Sequence, residues 1–277
     1  MRLAHGLQLR RRLLNSSLVL LFCWLTAIPA ALGQQLADNT YIEGATLWQQ
    51  TSGERRALSY QAFTIARIML DRDLRLNRPN RKRGAVIVDL DETILDNSRY
   101  EGMLLKNRVN YDQKNWTDWC NRAEATAVPG AVEFLRYAAS RGVAVFYITN
   151  RNDSQKQGTA TNLKKLGFPN VNDQTLLVQT DLKDSTKEPR RQAVGSKFRI
   201  VLLMGDDLND FSYVFEKSQT VEGRVAAADR YKEEFGTRFI MLPNAMYGNW
   251  ESAIYGYNFK LTEAEKAEKR RSLLKGY

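Results

Sequence analysis

The chain has 277 residues, a net charge of +10 and a single histidine, His5, which lies in the segment that we expect to be removed. The mature part therefore lacks histidine, and this excludes Ser-His-Asp hydrolysis, phosphohistidine chemistry and histidine-ligated zinc. Its basic residues are scattered in short runs rather than in a long stripe, so the charge favours small anionic molecules over a nucleic-acid polymer as partner.

Residues 1–33 have the pattern of a secretory signal peptide, with early arginines, an apolar run at residues 18–31 and small residues at Ala31 and Gly33. We expect cleavage after Gly33 and a periplasmic or secreted protein. Because the apolar run is shorter than the roughly 20 residues of a spanning helix, we expect no stable membrane insertion; an anchor is the alternative. Leu20–Phe22 supply no small residue ahead of Cys23, so a lipid anchor is not expected.

Cleavage would leave residues 34–277, with one cysteine, Cys120, and about +6 of the net charge because four arginines are lost. A single cysteine excludes an intramolecular disulfide, and we predict a buried, inert thiol. The remaining length suits one α/β domain with a modest insertion.

Helical periodicity from Thr46 to Arg75 predicts helices ahead of the core. Continuous apolar runs, typical of strands buried on both faces of a parallel sheet, follow at residues 84–89, 143–149, 175–178, 198–205 and 238–242. Helices are predicted between them at residues 131–140 and 155–166, closed by Gly142 and Gly167.

This alternation predicts a doubly wound α/β fold with a parallel sheet. We place the α/β core from about residue 82. A small, mainly helical cap is predicted at about residues 40–80 and 100–127, since the second stretch is long, polar and rich in aromatic residues.

Polar clusters follow three of the predicted strands, beginning at Asp89, Thr149 and Gly205. Ligands of open α/β sheets bind at the carboxyl ends of strands, so these clusters should converge. Asp89 and Asp91 are two residues apart, which keeps both carboxylates on one side of an extended chain. One can attack phosphorus while the other handles the proton.

Converging carboxylates repel one another unless a cation lies among them, and Mg²⁺ prefers such oxygen ligands. Phosphoryl transfer also needs donors for the phosphate oxygens, which Thr149 and a lysine would supply. Lys187 is the lysine that we choose, with Lys183 as its rival. An isolated aspartate at a strand end is more often a turn or cap residue, but three clusters in order favour a catalytic site.

The segment Asp89-Leu-Asp-Glu-Thr93 resembles the first motif of the haloacid dehalogenase superfamily, DxDx[TV]. Further segments resemble the bacterial class C acid phosphatases, which include the outer-membrane lipoprotein e phosphatases. These segments are Leu95-Asp-Asn-Ser98, Ser185-Thr-Lys-Glu-Pro-Arg-Arg191, Gly205-Asp-Asp-Leu-Asn-Asp-Phe211 and Leu242-Pro-Asn-Ala-Met-Tyr-Gly248. The likeness extends from about Trp48 to Tyr255.

The resemblance implies that Asp89 is the nucleophile, forming an aspartyl phosphate, and that Asp91 is the acid and later the base. It also implies that Mg²⁺ is held by Asp89, the main-chain carbonyl of Asp91 and Asp206, with Asp207 or Asp210 behind them. Family members often carry Asn where this chain has Asp207.

By the same resemblance, Thr149 and Lys187 bind phosphate, and Asn150 and Arg151 belong to the substrate site. For Arg151 a role in the fold is the alternative. Trp116 and Tyr247 would sandwich a flat leaving group.

The predicted function is that of a magnesium-dependent acid phosphatase with broad specificity for small phosphomonoesters, including nucleoside 5′-monophosphates, and hence 5′-nucleotidase activity. The resemblance is also consistent with a homodimer. Two alternatives are a phosphate- or nucleotide-binding or storage protein on the same fold, and carbon–halogen hydrolysis, which uses the aspartate nucleophile without magnesium.

Overall fold

The computed structural model describes residues 39–76, 82–182 and 184–277. The predicted signal peptide at residues 1–33 and the alternative lysine, Lys183, lie outside the described residues. Among the residues described, no helix combines the length and the hydropathy that crossing a bilayer requires.

A five-stranded parallel sheet forms the centre of the molecule, in the spatial order β5-β4-β1-β6-β7. The strands of the chain are β1 (Gly84–Val88), β2 (Leu95–Asp96), β3 (Thr126–Ala127), β4 (Ala144–Asn152), β5 (Leu176–Gln179), β6 (Arg199–Gly205) and β7 (Phe239–Met241). The short strands β2 and β3 form a separate antiparallel pair. Each of the five predicted apolar runs forms one strand of the parallel sheet, which confirms the predicted fold class.

Helices flank the sheet, and both helices that were predicted with bounds are present. The helices are α1 (Glu43–Thr51), α2 (Gly53–Leu76), α3 (Ser98–Asn107), α4 (Gln113–Arg122), α5 (Ala131–Ser140), α6 (Asp153–Leu166), α7 (Glu188–Lys197), α8 (Tyr213–Lys217), α9 (Val221–Arg230), α10 (Asn249–Ile254) and α11 (Glu263–Ser272). Short 3-10 helices lie at Thr40–Ile42, Leu208–Asp210 and Lys232–Glu234. Helix α6 ends at Gly167, whose φ of 84° is the left-handed conformation that glycine adopts at low cost.

The alternating side chains of β1 bury both faces of the sheet. Val86 and Val88 belong to one hydrophobic cluster, and Ala85 and Ile87 belong to another on the opposite face. Successive strand residues point to opposite faces, so a strand covered on both sides must be apolar at every position. This explains why the strands appear in the sequence as continuous rather than alternating apolar runs.

Helix α2 lies on the sheet, although its residues were predicted to belong to the cap. Ala62, Ala66 and Leu70 form one buried side in the same cluster as Val86. Salt bridges of 2.5 and 2.7 Å from Arg199 in β6 to Asp73 hold its carboxyl end. The small alanines allow this close packing. The apolar periodicity had included Leu58 and Ile68, which are exposed.

The second stretch assigned to the predicted cap, residues 100–127, contains most of α3 and all of α4 and ends at the short strand β3. Cys120 in α4 is a free, buried cysteine, as predicted. Burial raises the pKa of its thiol to about 12, which keeps it protonated and unreactive at neutral pH.

Replacing Leu70 by alanine should lower the free energy of unfolding by about 2–5 kcal/mol, because the side chain is fully buried between α2 and the sheet. Urea unfolding followed by circular dichroism measures this loss. Ile68→Ala on the same helix is the matched control, since Ile68 is 52% exposed, and its effect should stay within about 0.5 kcal/mol. Equal losses for the two variants would contradict the packing of α2 on the sheet.

Candidate active site

The predicted site residues meet at the carboxyl edge of the sheet because β4, β1 and β6 are neighbours. Asp89 directly follows β1, and its amide donates a 2.9 Å hydrogen bond to the carbonyl of Met204 in β6. Asp206 directly follows β6, and Lys187 directly precedes α7. The crossover connections therefore bring residues more than 100 positions apart in the sequence to one place.

Three carboxylates form the centre of this site. One oxygen each of Asp89, Asp206 and Asp210 lies within 4.8 Å of the other two. The Thr93 hydroxyl oxygen lies 2.9 Å from Asp206 Oδ1 and 3.4 Å from Asp89 Oδ2. Asn244, just beyond β7, donates a 2.9 Å hydrogen bond to Asp206 Oδ2. These polar contacts orient the carboxylates toward a common point.

Lys187 is the cation of this centre. Its ammonium group contacts Asp89 Oδ1 and lies 2.6 Å from Asp210 Oδ1. Burial alone would lower the pKa of Lys187, but Asp210 and Asp89 outweigh that effect and the pKa is raised. Lys187 is therefore charged over the whole range in which an acid or neutral phosphatase works.

The carboxyl groups themselves resist ionisation. Burial raises the pKa of Asp89 to about 7, Lys187 opposes this shift, and Asp210 and Asp91 add to it. The pKa of Asp206 is raised well above its usual value by burial and by Asp210 and Asp89. One lysine therefore does not fully compensate these buried like charges.

The resemblance left open whether Asp207 or Asp210 lies behind the predicted magnesium ligands. Asp210 is one of the three carboxylates of the centre, and Asp207 lies beside it. Asp207 accepts hydrogen bonds from the amides of Asn209 and Asn249, at 2.9 and 2.7 Å, and pairs with Arg224 at 3.2 Å. These contacts occupy both of its oxygens.

The close approach of β6 to Asp210 depends on Gly205. A Cβ atom added at this position would overlap the Asp210 side chain. Glycine is needed here because there is no space for a side chain. Its backbone is not left-handed, so conformational freedom is not the reason.

Asp91 is held by a second group of polar side chains. Arg151 donates to Asp91 Oδ1 at 2.7 and 3.0 Å, and Asn97 donates to the same oxygen at 2.9 Å. Asn97 in turn accepts a 2.8 Å hydrogen bond from the Trp119 indole. Arg151 is fully buried, and its remaining side-chain hydrogen bonds go to Asp91 Oδ2 at 3.3 Å, to Thr159 and to Asn97. Its guanidinium is thus committed to the protein, and Arg151 is not among the described residues that line the adjoining cavity.

The other predicted phosphate-binding residues differ in exposure. Thr149 is fully buried, and its hydroxyl oxygen accepts a hydrogen bond of 3.0 Å from the Arg151 amide. Asn150 points to the opposite side of β4 and lines the cavity. Arg190 donates to the Thr149 carbonyl at 2.5 Å and to Asn150 Oδ1 at 2.8 Å.

Two cavities open beside these groups. The first has a volume of about 850 Å³, and the catalytic candidates Asp89, Asp91 and Lys187 line it. The second has a volume of about 530 Å³. Tyr247 lines both cavities, and Trp116 lines the second. The two aromatic residues predicted to sandwich a leaving group therefore share one cavity.

The buried acid beneath Tyr247 was not predicted from the sequence. The Tyr247 hydroxyl donates to the Glu92 carboxylate, which also accepts hydrogen bonds of 2.8 and 2.9 Å from the amide and side chain of Asn97. Burial raises the pKa of Glu92 to about 8. The backbone of Glu92 is left-handed, with φ of 56°. Its position within the DxDx[TV] segment was the available signal, but the motif leaves this residue unspecified.

The donor set fits magnesium. Asp89, Asp206 and Asp210 offer hard carboxylate oxygens close enough to share one ion, and a divalent cation would relieve the repulsion that raises their pKa values. Soft ligands are absent from this group of three, which does not favour zinc or copper.

Comparison with known proteins agrees with this geometry. A family model described as HAD superfamily, subfamily IIIB (acid phosphatase) matches residues 24–250. The structure is similar to that of a class C acid phosphatase from Bacillus anthracis, with 41% sequence identity and a TM-score of 0.82, covering 86% of this chain and 98% of that chain. A structure of the Bacillus anthracis class C acid phosphatase with tungstate bound gives a TM-score of 0.81 at the same identity and coverage. The chain thus belongs to the acid phosphatase family of subfamily IIIB in the haloacid dehalogenase superfamily.

Proposed function

We propose that this acid phosphatase is an exported, magnesium-dependent phosphomonoesterase of broad specificity that acts through a phosphorylated Asp89. The observation that carries the proposal is the convergence of Asp89, Asp206 and Asp210 around one point, with Lys187 beside them. A relative was solved with tungstate, which, like phosphate, is a tetrahedral oxyanion.

In the proposed site, Asp89, the main-chain carbonyl of Asp91 and Asp206 would hold Mg²⁺, and Asp210 would support them. When bound, the ion would keep Asp89 ionised and neutralise charge on the phosphate oxygens. Lys187 adds a second positive charge at the same point, since its ammonium group already contacts Asp89. Asn150 offers an amide in the cavity wall.

In the first half-reaction, an Asp89 oxygen attacks phosphorus, the bond to the ester oxygen breaks, and Asp91 gives its proton to the departing alkoxide. In the second, a water molecule loses a proton to Asp91 and attacks the same phosphorus. The bond to Asp89 then breaks, and inorganic phosphate leaves with Asp91 protonated for the next cycle. Arg151 and Asn97 position Asp91 for both steps, because they hold one of its oxygens.

The proposed substrates are small phosphomonoesters, including nucleoside 5′-monophosphates, with the leaving group beside Trp116 and Tyr247. The proposed location is the periplasm or the medium, and a homodimer is the proposed assembly. A binding or storage role is the second candidate, but a nucleophile at Asp89 would have no purpose in such a protein.

Asp89→Asn should reduce phosphate release by about 1,000-fold or more, because the variant lacks the attacking carboxylate. Activity on p-nitrophenyl phosphate with magnesium measures the loss, and circular dichroism checks the fold. Asp173→Asn, at a side chain that is 94% exposed, is the matched control and should keep its activity. Turnover by Asp89→Asn near the wild-type rate would exclude Asp89 as nucleophile.

Removal of metal with EDTA should abolish activity, and added magnesium should restore it. Without the cation, the negative charge of the buried carboxylates is only partly compensated, and the phosphate oxygens lose a positive partner. Asp206→Asn should raise the magnesium concentration needed for half-maximal activity by about 10-fold or more. Phosphate release that survives chelation would contradict the proposed magnesium dependence.

Arg151→Met should lower kcat by about 10- to 100-fold with little change in KM, because Arg151 contacts Asp91 rather than the cavity. Arg151→Lys retains the charge without the planar fork and should recover part of the loss. A rise in KM at constant kcat would instead assign Arg151 to substrate binding. Steady-state kinetics over a range of substrate concentrations separates the two roles.

A further inference from the structure

The second cavity contains a buried carboxyl group that the proposed reaction does not use. Glu101 of α3 lines this cavity and is 7% exposed. No hydrogen bond or salt bridge to its carboxylate is present among the described residues. Buried carboxylates in proteins are normally paired, so an unpaired one in a cavity wall indicates a missing donor.

Other acceptors lie in the same wall. The Glu251 carboxylate accepts hydrogen bonds from Tyr41 and Tyr255 at 2.7 and 2.6 Å, and both use the same oxygen, Oε1. The buried side-chain oxygen of Asn39 has no hydrogen-bond partner among the residues that the structure describes. The wall thus contains at least three residues with an oxygen to which no described group donates, namely Asn39, Glu101 and Glu251.

The charge of the wall is negative. Among the described residues that line the second cavity, Lys266 is the cation, and it already pairs with Glu263 at 2.9 Å. Asp91 is paired with Arg151. Within the described part of the chain, Glu101 and Glu251 have no salt bridge, and burial together with Glu251 raises the pKa of Glu101 to about 7. A positive charge in the cavity would favour the ionised form of Glu101.

Aromatic rings complete the wall, including those of Tyr100, Tyr111 and Trp116. The faces of such rings attract cations, and a carboxylate beside them adds a charge-assisted hydrogen bond. The cavity also adjoins the catalytic one, since Asp91, Tyr111, Tyr247 and Glu251 line both. A leaving group extending from a phosphate at Asp89 would reach this wall.

We propose that the second cavity selects phosphomonoesters whose leaving alcohol carries a positively charged nitrogen, with Glu101 as the specificity-determining residue. The inference rests on the proposed phosphatase function and adds a preference among its substrates. Glu101 binds the ammonium group, and the aromatic rings exclude water from it.

The test compares each cationic ester with a neutral ester of the same shape. The pairs are 2-aminoethyl with propyl phosphate, 4-aminobutyl with pentyl phosphate, 6-aminohexyl with heptyl phosphate, and phosphocholine with 3,3-dimethylbutyl phosphate. The wild-type protein should show a kcat/KM for at least one cationic ester about 10-fold above that of its neutral partner, as expected for one buried charge-assisted contact. The length of the preferred ester reports the span from Asp89 to Glu101.

Glu101→Gln keeps the size of the side chain and removes its charge, so the ratio of cationic to neutral ester should fall to about 1. Glu133→Gln, at an exposed residue of α5, is the matched control and should keep the wild-type ratio. If no cationic ester is preferred by the wild-type protein, or if the preference persists in Glu101→Gln, the inference is overturned. The wild-type comparison suffices where the variant does not fold.

Failure of the proposed phosphatase function can be distinguished from failure of the cation preference. If neither neutral nor cationic esters are hydrolysed with magnesium, the proposed function fails and the inference fails with it. Hydrolysis of all pairs at equal rates overturns the cation preference alone.

Discussion

The ion pairs of the Lys187 ammonium with Asp89 and Asp210 are the contacts on which the arrangement of the acidic residues depends. Three carboxylates meet at the edge of a sheet whose two faces are covered by buried apolar side chains, and unpaired charges there would cost roughly several kcal/mol each. Lys187 compensates only part of this cost, because the pKa values of Asp89, Asp206 and Asp210 remain raised. The protein is thus built with more negative charge than it neutralises, which is what a site for a divalent cation requires.

The two carboxylates of the DxD segment have different polar partners. Asp89 faces the lysine, whereas Asp91 faces Arg151 and Asn97. Asn97 also binds Glu92 and Trp119, so one amide links the first motif to helix α4. Different partners for two neighbouring acids are what an enzyme needs when one acid attacks and the other transfers protons.

Much of the fold could be predicted from the local pattern of apolar residues in the sequence. The five strands were predictable because a strand buried on both faces must be apolar throughout, and the convergence of Asp89 and Asp206 followed from parallel topology. The side of α2 that packs on the sheet was not predictable from periodicity. Leu58 and Ile68 are as apolar as Leu70, and only the position of the sheet decides which of them is buried. The pairing of Arg151 with Asp91 and the absence of a described donor to the Glu101 carboxylate depend in the same way on side chains distant in the sequence.

Gly205 shows how the geometry of the acidic centre reaches beyond the acids themselves. The end of β6 passes so close to Asp210 that there is no room for even a methyl group. A change from glycine to alanine at position 205 would keep all three aspartates but displace the Asp210 carboxylate from the other two. A search of natural variants for intact aspartates would therefore overlook this change. Tolerance to mutation in this enzyme is set by unoccupied volume as well as by chemical identity, so a substitution can disrupt the acidic centre without replacing any of its three aspartates.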